Sequence, residues 1–171
     1  LLAKAQRYGP VYVQRLPRLD CFAAEEFDGA YVCLVLEHLD DHETLLEELA
    51  RVVRPGGPLA LVINHPVFTA PDSAPIEDHD GEILWRPGRY FDEGYTDEPA
   101  GAQKVRFHHR TTADLLTAAA DAGWDLRRVV EVGVTERQAG RDPQLAAQRH
   151  FLRILGVRWV RSGSSTLRSG R

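Results

Sequence analysis

Apolar residues run almost without a break from Ala30 to Leu36. That length and density predict a buried strand of the parallel kind, covered on both faces. Asp40-Asp41-His42-Glu43 then opens a predicted helix, with acids at its positive N-terminal end. Leu45, Leu46, Leu49, Val52 and Val53 recur at spacings of three and four, which gives one buried stripe. Pro55-Gly56-Gly57 ends the helix, because proline cannot continue it and glycine tolerates positive φ. Leu59 to Ile63 is a second apolar run of strand length. Strand, helix and strand with short connections predict a βαβ unit, hence a parallel pair joined by a right-handed crossover.

The flanking pattern is less regular. Residues 1–8 read as the end of a helix stopped by Gly9-Pro10, Val11–Val13 as a short strand, and 14–26 as a loop. Between His65 and Phe107 five prolines, many acids and the aromatics Phe68, Trp85, Tyr90, Phe91 and Tyr95 interrupt any period. A connection this long inside a compact domain is functional or disordered, and the aromatics argue for an ordered cap. Thr111-Thr112-Ala113-Asp114 resembles a capping box that starts a helix through Leu115, Leu116 and Ala119, ended by Ala122-Gly123. A strand is predicted over Arg128 to Val134, a short helix over 144–150 and a last strand over Phe151 to Val157. Residues 161–171 are mainly Ser, Gly and Arg with no apolar pattern, and read as a disordered tail. The expected division is 1–64 core, 65–107 cap, 108–160 closing helix and strand pair, and 161–171 tail.

Composition narrows the class. The 171 residues suffice for one domain, and a net charge of −4 provides no global basic field for nucleic acid or anionic lipid. No apolar stretch approaches the roughly 20 residues that span a bilayer, and a cytoplasmic location is expected. Cys21 and Cys33 are too few for a disulfide framework and lack zinc spacing. The chain has no methionine and opens in mid-helix, which reads as a piece of a longer protein.

Phe27 to Leu39, followed by Arg54-Pro55-Gly56-Gly57, resembles the latter half of the cofactor domain of class I S-adenosylmethionine (SAM) methyltransferases. Tyr90-Phe91-Asp92-Glu93, His109-Arg110-Thr111 and Ala122-Gly123-Trp124 extend the resemblance into the small-molecule methyltransferases of this class. It implies an α/β, Rossmann-like fold with a mostly parallel sheet and an antiparallel closing strand. The family's strand order is 3-2-1-4-5-7-6, with Val11–Val13 as its third strand and the first two, with the glycine-rich SAM loop, expected upstream. The implied activity is SAM-dependent methyl transfer to a small organic acceptor, with SAM as cofactor and neither nucleic acid nor membrane as partner. A truncated chain is expected to be inactive alone.

Ligands of open α/β sheets bind outside the carboxyl ends of the strands. By the resemblance, Cys33, Leu34 and Val35 would run beside SAM, as would Arg15 and Leu16, where the family often has an acid that accepts from the adenine amine. Arginine has only donors, so that contact is altered here. His38 and His65 are the candidate catalytic residues, since a neutral imidazole can take a proton from a hydroxyl or amine. Tyr90, Phe91, His109 and Arg110 are the candidate acceptor-binding residues, with Arg110 able to pair with a carboxylate or phosphate. Glu77, Asp78, His79 and Asp80 lack any recognised metal-ligand spacing, so no metal is expected. Two further readings stay open at this point: a non-catalytic methyltransferase-like subunit, and a nicotinamide-binding oxidoreductase, whose glycine fingerprint is not in this sequence.

Overall fold

The structure, a computed structural model, describes residues 2–100 and 103–163. In chain order the elements are helix α1 (Leu2–Ala5), strand β1 (Ala30–Cys33), a 3₁₀ turn (Leu36–His38), α2 (His42–Val52) and β2 (Pro58–Asn64). The cap follows as α3 (Pro66–Thr69), β3 (Ala74–Glu77), β4 (Ile83–Arg86), β5 (Gly94–Ala100) and β6 (Gln103–His109). The chain closes with α4 (Thr112–Asp121), β7 (Trp124–Val132), α5 (Glu136–Ala139), α6 (Pro143–Ala147) and β8 (Ile154–Arg161).

The main sheet has the order β1-β2-β8-β7, with β1 parallel to β2 and both β8 contacts antiparallel. The expected βαβ unit and the antiparallel closing strand are therefore present. Alternation along β2 and β8 sends Leu59, Leu61 and Ile63 to one face, directly opposite Trp159, Val157 and Leu155. Leu45, Leu46, Leu49 and Val52 of α2 and Leu115 and Ala119 of α4 close over that face, forming one core. Trp124 is buried there, and its indole N–H donates to the Leu46 carbonyl at 3.0 Å. The Pro-Gly-Gly turn behaves as its sequence predicts. Gly56 has φ +80°, and a Cβ on Gly57 would lie 2.6 Å from the Asp28 carbonyl.

Several expectations need correction. Val11–Val13 is not a strand: Tyr12 and Val13 are exposed, and the segment pairs with no strand among the described residues. The run Ala30–Leu36 is strand only to Cys33, because Leu34 takes φ +52° and turns the backbone out of the sheet. Nor is β1 covered on both faces. Tyr31 is exposed at 68%; among the described residues β1 has no partner on its outer edge, as expected of a strand whose family neighbours would lie upstream. β7 runs over Trp124–Val132 rather than Arg128 to Val134, and β8 over Ile154–Arg161 rather than Phe151 to Val157. The short helix near 144–150 is Pro143–Ala147. Of the predicted tail, Arg161 belongs to β8, and residues 164–171 lie outside the described residues. The described residues of the 65–107 stretch form α3 and the strand pairs β3–β4 and β5–β6, both antiparallel. Among the described residues no helix is long and apolar enough to cross a membrane.

The loop before β1 is tied down by charge. Glu48 of α2 accepts from Arg51 Nε at 2.9 Å and Nη2 at 2.9 Å, and from the Leu19 backbone N–H at 2.9 Å. Arg51 in turn donates to the carbonyls of Phe22 and Leu19. The Arg51 guanidinium holds the Glu48 carboxyl well below the usual range, at about 2. Arg51→Ala is expected to lower the melting temperature by several degrees, because it leaves a buried carboxylate without its cation. Amide exchange should locate the loss of protection at residues 19–27; protection there equal to wild type would refute the staple.

Candidate active site

The carboxyl ends of β1 and β2 lie side by side, and the residues after them form the candidate site. Beyond Cys33, the left-handed Leu34 exposes its side chain at 46%. Its N–H still donates to the Val62 carbonyl at 2.8 Å. A non-glycine residue at positive φ where a ligand is expected is a functional signal. The 3₁₀ turn then places Glu37 inward and His38 outward. Glu37 is buried, and its Oε1 accepts from the Asn64 carboxamide at 3.0 Å and the Asn64 backbone N–H at 3.3 Å. The exits of β1 and β2 are thereby clamped together.

The two candidate catalytic histidines differ sharply. His38 is exposed, its ring lies edge-on to Phe107 with centroids 4.6 Å apart, and its Nδ1 sits 2.9 Å from the Arg106 carbonyl. A carbonyl only accepts, so Nδ1 carries the proton, and in the neutral ring Nε2 keeps a free lone pair. His65 is 2% exposed. Its Nδ1 accepts from the Val67 N–H at 3.1 Å as the N-cap of α3, and its Nε2–H donates to Glu131 Oε1 at 2.9 Å. Both nitrogens of His65 are engaged, so neither offers a free lone pair in this geometry.

Of the four residues expected to bind the acceptor, Tyr90, Phe91 and His109 lie together, whereas Arg110 turns toward the 3₁₀ turn. Tyr90 Oη accepts from the Thr112 N–H at 2.9 Å, and the His109 Nε2–H donates to the Tyr90 carbonyl at 2.8 Å. Phe91 is 88% exposed against the Tyr90 ring. Arg110 donates to the carbonyls of Leu36, Leu39 and Asp40 at the end of the 3₁₀ turn, so its guanidinium serves the fold rather than a substrate carboxylate. Burial lowers its pKa. The capping box at Thr111 is real, with Thr111 Oγ1 accepting from the Asp114 N–H and Asp114 accepting from the Thr111 N–H. Of the expected cofactor residues, Arg15 is exposed, Leu16 packs against the core, and Cys33 and Val35 are half-buried. At the β3–β4 turn Asp78, His79 and Asp80 bring ligand atoms within 4.8 Å of one another.

Two cavities flank the β5–β6 hairpin. One of about 370 Å³ reaches Asn64 at the end of β2 and is lined by Phe68, Trp85 and Phe107. The other, about 650 Å³, lies toward α2 and α4 and is acidic, with Asp40, Asp41, Glu43, Glu93, Asp114 and Asp121 around Arg110. Neither cavity was legible in the sequence, since each is assembled from segments distant along the chain.

Comparison with known proteins bears on the family and the fold. A model of the methyltransferase domain family matches residues 2–61. An O-methyltransferase, resE of Aspergillus sclerotiorum, is 44% identical over 62 residues, covering 36% of this chain and 24% of that protein. A second, rstn1 of Aspergillus nomiae, is 52% identical over 40 residues, covering 23% of this chain and 18% of that protein. The chain thus spans a quarter or less of the length of these curated relatives. The crystal structure of a SAM-dependent methyltransferase from Mesorhizobium loti superposes with a TM-score of 0.78 at 29% identity, covering 94% of this chain and 75% of that one.

His42, the first residue of α2, lines the acidic cleft. Burial, and secondarily the nearby Arg110, push its imidazole down to about 4. Unfolded, the same group takes its proton near 6.5. Between those values the unfolded chain binds more protons, so stability falls as pH drops from about 6.5 toward 4. His108, also lowered by burial, acts in the same direction. Denaturant melts at pH 6.5 and pH 5 should show that fall, and His42→Gln should reduce it; an unchanged pH slope in the variant would contradict this assignment.

Proposed function

We propose that this chain, which belongs to the class I SAM-dependent methyltransferases, forms the acceptor side of a methyl transfer to a small organic molecule, with His38 taking the acceptor's proton. The observation that carries this reading is the His38 imidazole, exposed beside the strand exits with Nδ1 held by Arg106 and Nε2 free. A base must present an open lone pair within reach of the group it deprotonates, and His38 meets that requirement while His65 does not.

SAM, when bound, supplies a methyl group made reactive by its positive sulfur and leaves as a neutral thioether. The chain's own tasks are to position the acceptor and remove its proton. Cys33, Leu34 and Val35 would lie against the cofactor's apolar surface. The outward-turned Leu34 fits that role, because its left-handed backbone presents an aliphatic side chain beyond the strand end. Arg15 and Leu16 would border the adenine. The open edge of β1 would, on this reading, pair with the remaining strands of the family's sheet. On this reading, residues 65–107 cap the acceptor, and these 171 residues alone bind SAM poorly. The names of the two curated relatives favour an oxygen acceptor.

In the full-length protein His38→Ala should lower kcat by about 10²-fold or more while leaving the affinity for SAM near wild type. Single-turnover rates and calorimetric SAM binding test this together. A variant that turns over at the wild-type rate would remove His38 as the base. Absence of SAM binding in the full-length wild type would favour a non-catalytic relative.

A further inference from the structure

The cavity beside Asn64 bears on the identity of the acceptor, an inference that rests on the methyl-transfer reading above. Its wall is aromatic and held from behind. Phe68 and Trp85 stack at 4.9 Å with 17° between their planes, the Arg153 guanidinium lies 4.2 Å from the Phe68 ring centre, and Phe151 packs on Trp85 at 5.2 Å. The Trp85 Nε1–H is buried and has no acceptor among the described residues. Phe107 links this cavity to the candidate base, since it lines the cavity and also packs against His38. Asn64, held by Glu37, contributes an amide to the lining, and Thr96 and Glu98 of β5 contribute further polar groups.

Charge narrows the ligand further. The lining carries the carboxylates Asp72 and Glu98 and no basic side chain. Asp72 is paired with Arg89 at 2.7 Å. An anionic acceptor would meet Glu98 without a compensating cation in the lining, whereas an uncharged one meets no such repulsion. The volume, about 370 Å³, sits at the lower end of small-molecule sites, roughly 300–1,000 Å³. We propose that this cavity binds an uncharged, flat aromatic acceptor of one or two rings, set against the Phe68, Trp85 and Phe107 rings with its hydroxyl toward His38. The faces of Phe68 and Trp85 are already taken by Trp85, Arg153 and Phe151, so these rings offer their edges, and an edge-on ring favours a flat π-face over a saturated ring of equal size.

The three tryptophans give a direct readout. Trp124 and Trp159 are 2% and 1% exposed, so of the three indole N–H signals in a ¹H–¹⁵N spectrum the Trp85 signal, assigned with Trp85→Phe, reports on the cavity. Titrating the full-length protein with 1-naphthol should shift that signal saturably. 1-Naphthoate and the saturated alcohol 2-decalol should need at least about tenfold higher concentration. Phe107→Leu, on a separate element, should weaken naphthol binding about three- to tenfold. An unmoved Trp85 signal, or an equal response to naphthoate, overturns the proposal. Calorimetry with S-adenosylhomocysteine separates the two readings. Its binding without naphthol binding refutes this inference and leaves methyl transfer standing; naphthol binding without it supports the aromatic site and refutes methyl transfer.

Discussion

The register between β2 and β8 is the constraint on which the rest of the structure depends. Leu59, Leu61 and Ile63 oppose Trp159, Val157 and Leu155, and α2 and α4 bury that face. A slip of one residue would turn the three side chains of the shifted strand away from the helices. The same register delivers Asn64 and His65 to the end of β2, where the cap begins. One register therefore places both the core face of β2 and the residues at its end. The alternation that buries Ile63 turns Asn64 to the opposite face, within reach of Glu37, and the cap leaves the sheet through Pro66 immediately afterwards.

Local pattern made much of this architecture readable. The helical stripe from Leu45 to Val52, the turn at Gly56 and the capping box at Thr111 depend on neighbours a few residues away, and each appears where the sequence places it. The extent of β1 was misread for an equally physical reason. Leu34 is apolar and gave no turn signal, yet its φ of +52° ends the strand. Val11–Val13 has strand composition, but a strand needs a partner to satisfy its backbone groups. Glu48 and Arg51 have the spacing of an ordinary surface pair on a helix. Their actual role, binding the carbonyls and N–H of the preceding loop, depends on contacts 29 and 32 residues away.

The two histidines show the same limit at the site. As residue types after successive strand ends, His38 and His65 are equivalent. Their chemistry diverges only through partners far along the chain: Arg106, 68 residues from His38, and Glu131, 66 residues from His65. Arg106 offers His38 a carbonyl and engages one nitrogen. Val67 and Glu131 engage both nitrogens of His65. No spacing rule distinguishes the two, because the difference arises where the cap hairpin and the closing sheet return to the strand ends.

That return gives the cap a second task. The β5–β6 hairpin supplies the Arg106 carbonyl that fixes the His38 ring, and through Phe107 it also forms part of the aromatic cavity. Arg106 is itself fixed by Asp97 across the hairpin at 2.9 Å and lies 3.7 Å from the centre of the Tyr95 ring. One hairpin thus sets the orientation of the proposed base and the shape of the space its substrate would fill. A shift of the hairpin would change both together. On the proposed reading, acceptor choice and proton transfer would be coupled through a single element that lies outside the β2–β8 core.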